Sequence, residues 1–127
     1  MIKVFSDDER GGFLIPVEFK DLPFEPKRVF TVCDVPKNNI RGEHAHFQTQ
    51  QFLICLKGEI LVGLDFGSKC EEIILKQGET VFIDKMVWDY QQFLTGEDTL
   101  LVFASTPYDK NDYIFDKGEF YKKQNKI

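Results

Sequence analysis

Short strand-like segments separated by turn residues recur along the whole chain, and this pattern constrains its fold more than any other feature. Apolar or alternating runs occupy residues 12–18, 28–33, 42–47, 51–57, 59–65, 71–76, 80–83, 88–93 and 100–104. Gly, Asn, Pro and Ser residues separate several of these runs, as at 36–39 and 66–68. Strands at a spacing of about 8–12 residues are typical of all-β sandwiches and barrels, so we predict an all-β fold.

Helical periodicity is weak throughout the sequence. No stretch of about 11 or more residues has the apolar spacing of an amphipathic helix. We expect the tail from residue 113 to 127 to carry one short helical or irregular segment that packs Phe115 or Phe120 on the barrel. The lysine-rich residues 122–126 are expected to be a solvated, frayed end.

The length and the net charge of the chain limit the number of domains and the kinds of partner to be expected. A chain of 127 residues is predicted to form one domain over residues 1–127. The net charge of −5 argues against a nucleic-acid partner. The amino terminus has no apolar segment of a signal peptide, and no run reaches the roughly 18 residues of a membrane span. The three cysteines lack metal-site spacing. We therefore expect a cytoplasmic location, with Cys33 and Cys55 in the core.

Both histidines of the chain lie in one hexapeptide, Arg-Gly-Glu-His-Ala-His at residues 41–46. If this segment is a strand, its alternation places His44 and His46 on the same face, about 7 Å apart along the chain. Two imidazoles on one face suit a metal site or an acid/base pair, and histidine titrates close to neutral pH. Two solvent-facing histidines without a function are the remaining alternative.

The spacing beyond the hexapeptide matches the first motif of the cupin fold, HxH(x)3–4E(x)6G. Gln51 takes the Glu position of this motif, and Gly58 takes its final Gly position. The weaker second motif, G(x)5PxG(x)2H, ends at Asp89 in place of histidine. The two motifs together predict one small β-barrel with His44, His46, Gln51 and Asp89 around its mouth or interior.

Two substitutions within these motifs bear on whether the site binds a metal ion. A metal-binding cupin normally offers three histidines and a glutamate, whereas this chain has Gln51 and Asp89 at two of those positions. His44, His46 and Asp89 nevertheless match the two-His, one-carboxylate set of an Fe(II)- or Mn-dependent small cupin. Alternatively, Asp89 accepts hydrogen bonds at the rim of the pocket.

Several segments together resemble the FdtA/QdtA (WxcM-like) family of nucleotide-sugar 3,4-ketoisomerases. They are Glu-Arg-Gly at 9–11, residues 22–30, the hexapeptide with Gln51, Cys-Leu-Lys-Gly at 55–58, and residues 104–114. The resemblance implies an RmlC-like cupin fold, the jelly-roll or double-stranded β-helix. It also implies an isomerase that moves the keto group of dTDP-4-keto-6-deoxyglucose from C4 to C3. This activity is expected from a homodimer without a metal or another cofactor.

The product of such an enzyme is expected to feed an aminotransferase that makes 3-amino-3,6-dideoxy sugars. These sugars enter surface glycans, such as the O-antigen of lipopolysaccharide, or secondary metabolites. This place in a biosynthetic route is implied by the resemblance alone.

Proton transfer by the imidazoles is the proposed chemistry of the site. His44 or His46 would act as the base that forms an enediolate, and the residues leave open which of them does so. Arg41 is expected to stabilise the developing charge or hold phosphate, or else to pair with Glu43. Gln51 is expected to orient an imidazole or to bind a sugar hydroxyl.

The remaining substrate-binding predictions concern groups farther from the hexapeptide. Arg10 and Arg28 are candidate partners of the pyrophosphate, although Arg28 would equally suit a structural place at the barrel end. Tyr90 is expected to stack on a base or sugar face, or to be a core aromatic.

The chain also departs from its relatives. Phe47 stands where many relatives have lysine, and Asp89 stands where they have histidine or glycine. These changes keep open an altered nucleotide or sugar. They also keep open a third function, a non-catalytic cupin that binds a nucleotide sugar.

Overall fold

The computed structural model describes residues 5–6 and 10–125, which consist mainly of β-strands. The strands are β1 (Phe5–Ser6), β2 (Phe13–Leu14), β3 (Arg28–Cys33), β4 (Ile40–His46), β5 (Gln51–Lys57), β6 (Ile60–Asp65), β7 (Cys70–Leu75), β8 (Thr80–Ile83), β9 (Trp88–Phe93), β10 (Thr99–Ala104) and β11 (Tyr113–Ile114). Two 3₁₀ turns span Phe19–Asp21 and Lys110–Asp112, and one helix, α1, spans Lys117–Gln124. Among the described residues, no helix is long and apolar enough to cross a membrane.

Two antiparallel sheets face each other across the main core. One sheet has the strand order β3-β10-β5-β8, and the other has the order β11-β4-β9-β6-β7. Strands from both sheets contribute inward apolar side chains, including Leu53 and Val102 from the first and Val62 and Phe93 from the second. The prediction of an all-β fold is confirmed, and the two facing sheets have the form of a jelly roll.

Four of the predicted strands in the two main sheets have the bounds that the structure shows. The bounds of β3, β5, β8 and β9 are those predicted from alternation and turn residues. The prediction of one strand over residues 12–18 is wrong, because only Phe13–Leu14 pair, with β1. Ile15 and Val17 pack instead on the outer face of the four-stranded sheet, in a second apolar cluster.

The α1 helix covers the outer face of the five-stranded sheet. Asp116 accepts a hydrogen bond from the backbone N–H of Gly118 and so caps the helix N-terminus. Phe120 is fully buried and packs on Trp88 with 5.8 Å between ring centroids, whereas Phe115 is exposed. The predicted frayed end is wrong for residues 122–124, which are helical, and Gln124 donates a hydrogen bond to the Phe66 carbonyl at 2.6 Å.

The alternation of β3 corrects one prediction about the core. Residues of β3 are half-buried and exposed in turn, and Cys33 belongs to the exposed set. Cys55 lies in the core as expected. Although residues 28–33 form an apolar run, only one face of this edge strand is therefore turned toward the core.

Candidate active site

A β-bulge in β4 determines which way the first histidine faces. The pairing of β4 with β9 shifts between Gly42 and His44, so that Glu43 is an extra residue and His44 stands opposite Asp89. Gly42 and Glu43 both have positive φ, 89° and 59°. A regular ladder would have placed His44 opposite Trp88, on the side covered by α1. The bulge therefore turns His44 toward Asp89.

Strand alternation beyond the bulge brings the second histidine to the same side. Ala45 packs in the cluster of Trp88 and Phe120 beneath α1, so its neighbours along the strand point the other way. The imidazole rings of His44 and His46 lie 4.9 Å apart between centroids and are nearly perpendicular. The sequence prediction of two imidazoles on one face is confirmed by this contact.

A cavity of about 340 Å³ is lined by His44, and His46 lies behind this wall in ring contact with His44. Its polar wall is formed by side chains from β4, β5 and β9, and its apolar wall by side chains from β3, β5 and β10. The lining residues include Arg41, His44, Gln51, Asp89, Gln91, Phe30, Val32, Leu53, Leu100, Val102 and Tyr113. Polar groups thus converge on one side of a mostly apolar chamber, as is typical of small-molecule sites.

Aromatic contacts hold the imidazoles in place. The Tyr113 ring centroid lies 5.0 Å from that of His44 and 4.4 Å from that of His46. Phe115 stacks on Tyr113 at 5.4 Å and also contacts His44. The β11 strand, which pairs with β4 through His46 and Ala45, therefore fixes the ring positions from the carboxyl-terminal side.

Burial makes both imidazoles poor proton binders before substrate enters. Burial lowers the pKa of His46 to about 4, and the neighbouring charges of His44 and Arg28 act in the same direction against that of Asp112. Burial also lowers the pKa of His44, opposed by a hydrogen bond with the backbone of Gly42. Both rings are therefore neutral at neutral pH and able to accept a proton.

Asp89 is the most deeply buried charged group of the site, with 1% of its surface exposed. Gln91 donates a hydrogen bond from Nε2 to Asp89 Oδ1 at 2.7 Å. Burial raises the pKa of Asp89 to about 7, although this hydrogen bond acts in the opposite direction. Asp89 Oδ2 and His46 Nε2 are both buried, and neither has a hydrogen-bond partner among the described residues.

Three other predicted site residues also lie near the cavity. Gln51 is buried in its wall, and Arg41 lies in the wall with an exposed side chain. Arg28 sits between two aromatic rings, with Cζ 5.6 Å from the centroid of Phe30 and 5.7 Å from that of Tyr108. Its Nε atom is buried without a hydrogen-bond partner in the described part of the chain.

Two predicted site residues are not brought to this cavity. Tyr90 follows Asp89 on β9, so alternation turns it to the opposite face, where its hydroxyl donates to Glu72 Oε2 at 2.7 Å. There Tyr90 lines a separate depression beside α1. Arg10 is exposed in the turn before β2 and is not part of the cavity wall. The Glu9 that precedes it in the family motif lies outside the described residues.

Replacing Tyr90 with phenylalanine tests this placement. We expect kcat and KM to change by less than about twofold, because the variant loses only an exposed hydrogen bond on the far side of the sheet. Steady-state kinetics of the purified variant beside the wild type would measure both constants. A large rise in KM would instead assign Tyr90 to substrate binding.

Sequence reasoning did not identify Gln91 and Tyr113 as site residues. Gln91 shares a strand face with Asp89, so the alternation of β9 is the signal that could have identified it. Tyr113 lies in the segment 104–114 that resembled the family. Its contact with the histidines depends on the pairing of β11 with β4, for which the local sequence gave no signal.

The histidines and Asp89 are the described residues that could best hold a metal ion. One ligand atom from each of His44, His46 and Asp89 lies within 4.8 Å of the others. The donor set is that of a facial triad. The same positions equally suit proton transfer to a bound molecule, so geometry alone does not separate the two chemistries.

Comparisons with known proteins address that choice. The sequence matches the FdtA family, described as WxcM-like, C-terminal, over residues 1–125. It is 35% identical over 121 residues to a TDP-4-oxo-6-deoxy-alpha-D-glucose-3,4-oxoisomerase of Aneurinibacillus thermoaerophilus, covering 94% of this chain and 87% of that protein.

Solved structures give the same result. QdtA, a sugar 3,4-ketoisomerase from Thermoanaerobacterium thermosaccharolyticum in complex with TDP, superposes with a TM-score of 0.89 at 34% identity, covering 98% of this chain and 91% of that one. WlaRA, a TDP-fucose-3,4-ketoisomerase from Campylobacter jejuni, has a TM-score of 0.84 at 33% identity, with 98% and 93% covered. The prediction of a cupin-like fold is confirmed by this likeness.

Proposed function

The chain belongs to the FdtA (WxcM-like, C-terminal) family, and we propose that it is a nucleotide-sugar 3,4-ketoisomerase. The substrate would be a dTDP-4-keto-6-deoxyhexose, and the product its 3-keto isomer. The observation that carries the proposal is the pair of neutral imidazoles, the half-buried His44 in the cavity wall and the buried His46 in contact with it, in a chain 35% identical to a named oxoisomerase.

The carbon proton is moved by an imidazole. A neutral His46 or His44 removes the proton from C3 of the sugar, next to the C4 carbonyl, and an enediolate forms across C3 and C4. Return of the proton to C4 leaves the carbonyl at C3. Buried neutral rings suit this step, because the base must be unprotonated when the substrate arrives.

Arginine side chains supply the positive charge that the substrate and the enediolate require. Arg41 lines the cavity and can stabilise the enediolate oxygen. Arg28, whose buried Nε needs an acceptor, would bind the diphosphate, and Arg10 is a further candidate for it. Gln51 offers a neutral hydrogen-bonding group to a sugar hydroxyl.

Cavity size supports a sugar as the group that enters. Ligand pockets run from about 300 to 1,000 Å³, and a chamber of about 340 Å³ is at the small end of this range. A hexose ring would occupy the chamber, and the nucleotide would extend outward past Arg28.

Incubation with dTDP-4-keto-6-deoxyglucose in D2O tests the activity. We expect NMR to show loss of the C4 carbonyl, appearance of a C3 carbonyl, and deuterium incorporation where the imidazole exchanges its proton with solvent. Absence of both keto migration and deuterium incorporation, with TDP still bound, would contradict the proposal and favour the non-catalytic nucleotide-sugar-binding protein.

Chelation separates the isomerase from the metal-dependent alternative, which its ketoisomerase relatives do not favour. Treatment with EDTA followed by desalting is expected to leave turnover unchanged, because proton transfer by His44 or His46 needs no Lewis acid. Elemental analysis before and after treatment provides the control. Stoichiometric metal whose removal abolishes turnover, and whose return restores it, would replace the proposal with a metal-dependent cupin.

We propose that the enzyme works as a homodimer. Directly paired residues form an apolar row across the outer face of the four-stranded sheet, from Val29 through Phe103 and Phe52 to Phe82. The ends of the row are exposed, Val29 at 56% and Phe82 at 39%. A second copy would cover these exposed ends, since exposed apolar surface of this kind is what a protein–protein interface buries.

Light scattering after size exclusion tests the dimer. The wild type is expected at twice the chain mass of 14.8 kDa, and the Val29→Glu, Phe82→Glu double variant at one chain mass with an unchanged fold by circular dichroism. A monomeric wild type would contradict the proposal.

The proposed activity also suggests how the product is used and where in the cell the enzyme works. A 3-keto sugar is the substrate that an aminotransferase needs to form a 3-amino sugar, and we propose this step on a route to surface glycans such as the O-antigen of lipopolysaccharide. Three free cysteines support a cytoplasmic location for it.

A further inference from the structure

We infer that Asp89, held by Gln91, is a catalytic residue that carries the hydroxyl proton of the sugar from O3 to O4. This inference rests on the proposed ketoisomerase activity. In that reaction a histidine moves the proton between C3 and C4, and the inference assigns a protein group to the other proton, which passes between the two oxygens. The carbon side of the reaction is the proton transfer from C3 to C4 by a histidine. The oxygen side is the proton transfer from O3 to O4 by the carboxyl group of Asp89.

The reaction requires two proton movements. The substrate has a carbonyl at C4 and a hydroxyl at C3, and the product has the reverse. One proton must therefore pass from C3 to C4, and another must pass from O3 to O4. The two oxygens of the enediolate are adjacent, so a single carboxyl oxygen can reach both of them.

Asp89 is placed for the oxygen side by its pairing and its hydrogen bond. It stands directly opposite His44 across the bulge, in the wall of the cavity. Its Oδ1 atom is occupied by Gln91 Nε2 at 2.7 Å. Its Oδ2 atom is buried and has no partner among residues 5–6 and 10–125, so this oxygen is the one left for a bound molecule.

Burial of the whole side chain favours the neutral acid, as an apolar site does for other carboxyl groups that donate hydrogen bonds in catalysis. A carboxyl group with one oxygen tied to Gln91 and the other free can give up a proton and take one back without changing its position. Unpaired buried polar atoms are rare in folded proteins, and a substrate hydroxyl would satisfy this one.

The steps balance in atoms and electrons. The imidazole takes the C3 proton while Asp89 donates its proton from Oδ2 to O4, which gives an enediol, an imidazolium and the Asp89 carboxylate. The carboxylate then takes the proton from O3 as the imidazolium delivers its proton to C4. A carbonyl forms at C3, a hydroxyl remains at C4, and both protein groups return to their starting forms.

The Asp89→Asn variant isolates proton transfer from hydrogen bonding. Its amide oxygen can still accept from Gln91, and its amide nitrogen can still donate to the substrate, but it cannot exchange a proton with O3 or O4. We expect kcat on dTDP-4-keto-6-deoxyglucose to fall by at least about 100-fold, with TDP affinity unchanged. The matched carboxyl-to-amide control is Glu97→Gln on the exposed loop between β9 and β10, which is expected to keep wild-type kinetics.

The outcomes separate this inference from the proposed function. A smaller loss of kcat in Asp89→Asn, or a loss confined to KM, would show that Asp89 only binds substrate and would overturn the inference while the isomerase assignment stands. Absence of turnover in the wild type would contradict the proposed function, and the inference would fall with it. Isothermal titration with TDP verifies that each variant is folded.

Discussion

Replacing His46 with asparagine is expected to lower the kcat of keto migration by at least about 100-fold, the lower end for loss of general acid/base catalysis. His46 is 3% exposed, and its Nε2 atom has no hydrogen-bond partner among the described residues. Burial lowers the pKa of this imidazole to about 4, so it is a neutral base ready for the C3 proton. Asparagine cannot take up that proton. Initial rates followed by NMR would measure the effect.

His44→Asn provides the matched comparison, because His44 lies 4.9 Å away on the same face. The variant that lacks the carbon base is expected to have a lower kcat with little change in KM. The variant that lacks a residue orienting the sugar is expected to have a higher KM as well. TDP affinity verifies folding in both variants. Near-wild-type turnover in both would contradict the proton-transfer mechanism as a whole.

Features of the site that depend on one segment of the sequence could be predicted, and features that depend on the pairing of two segments could not. Alternation and turn residues were enough to predict β5 and β9, because each is a long strand with partners on both sides. The shared face of His44 and His46 is likewise a property of one strand. The bulge at Gly42 and Glu43 was not predicted, because a bulge is a mismatch between two strands and neither strand alone reveals it.

The same reasoning explains why Tyr90 lies away from the cavity and why Gln91 was missed. Sequence spacing placed Asp89 and Tyr90 together at the site, but adjacent residues of a strand face opposite sides, so only one of them could line the cavity. Once Asp89 is inside, Gln91 is inside as well. Tyr113 reaches the histidines only through long-range pairing, and a contact of this kind has no signature in the local sequence.

The glycine that ends the first cupin motif has a physical role that the structure makes explicit. Gly58 lies in the turn between β5 and β6 with φ of +83°, and a Cβ atom there would lie 2.0 Å from Asp98 Oδ1. Asp98 is 1% exposed and accepts hydrogen bonds from Glu59, Thr95 and Gly96. Although burial acts to raise the pKa of Asp98, these hydrogen bonds keep it below its ordinary value. The carboxylate is therefore firmly held and cannot move aside without losing them.

Gly58→Ala is accordingly expected to lower the free energy of unfolding by about 2–5 kcal/mol, from positive-φ strain of about 1–2 kcal/mol and displaced buried hydrogen bonds at about 1–3 kcal/mol. Urea denaturation followed by circular dichroism measures it as a lower midpoint with an unchanged slope. Gly118→Ala in the first turn of α1 is the matched control, because its Cβ would meet nothing closer than 3.7 Å and alanine favours helix. The control is expected to be neutral or slightly stabilising. Equal midpoints for Gly58→Ala and the wild type would mean that the turn yields without strain, and that the motif glycine is not required for stability.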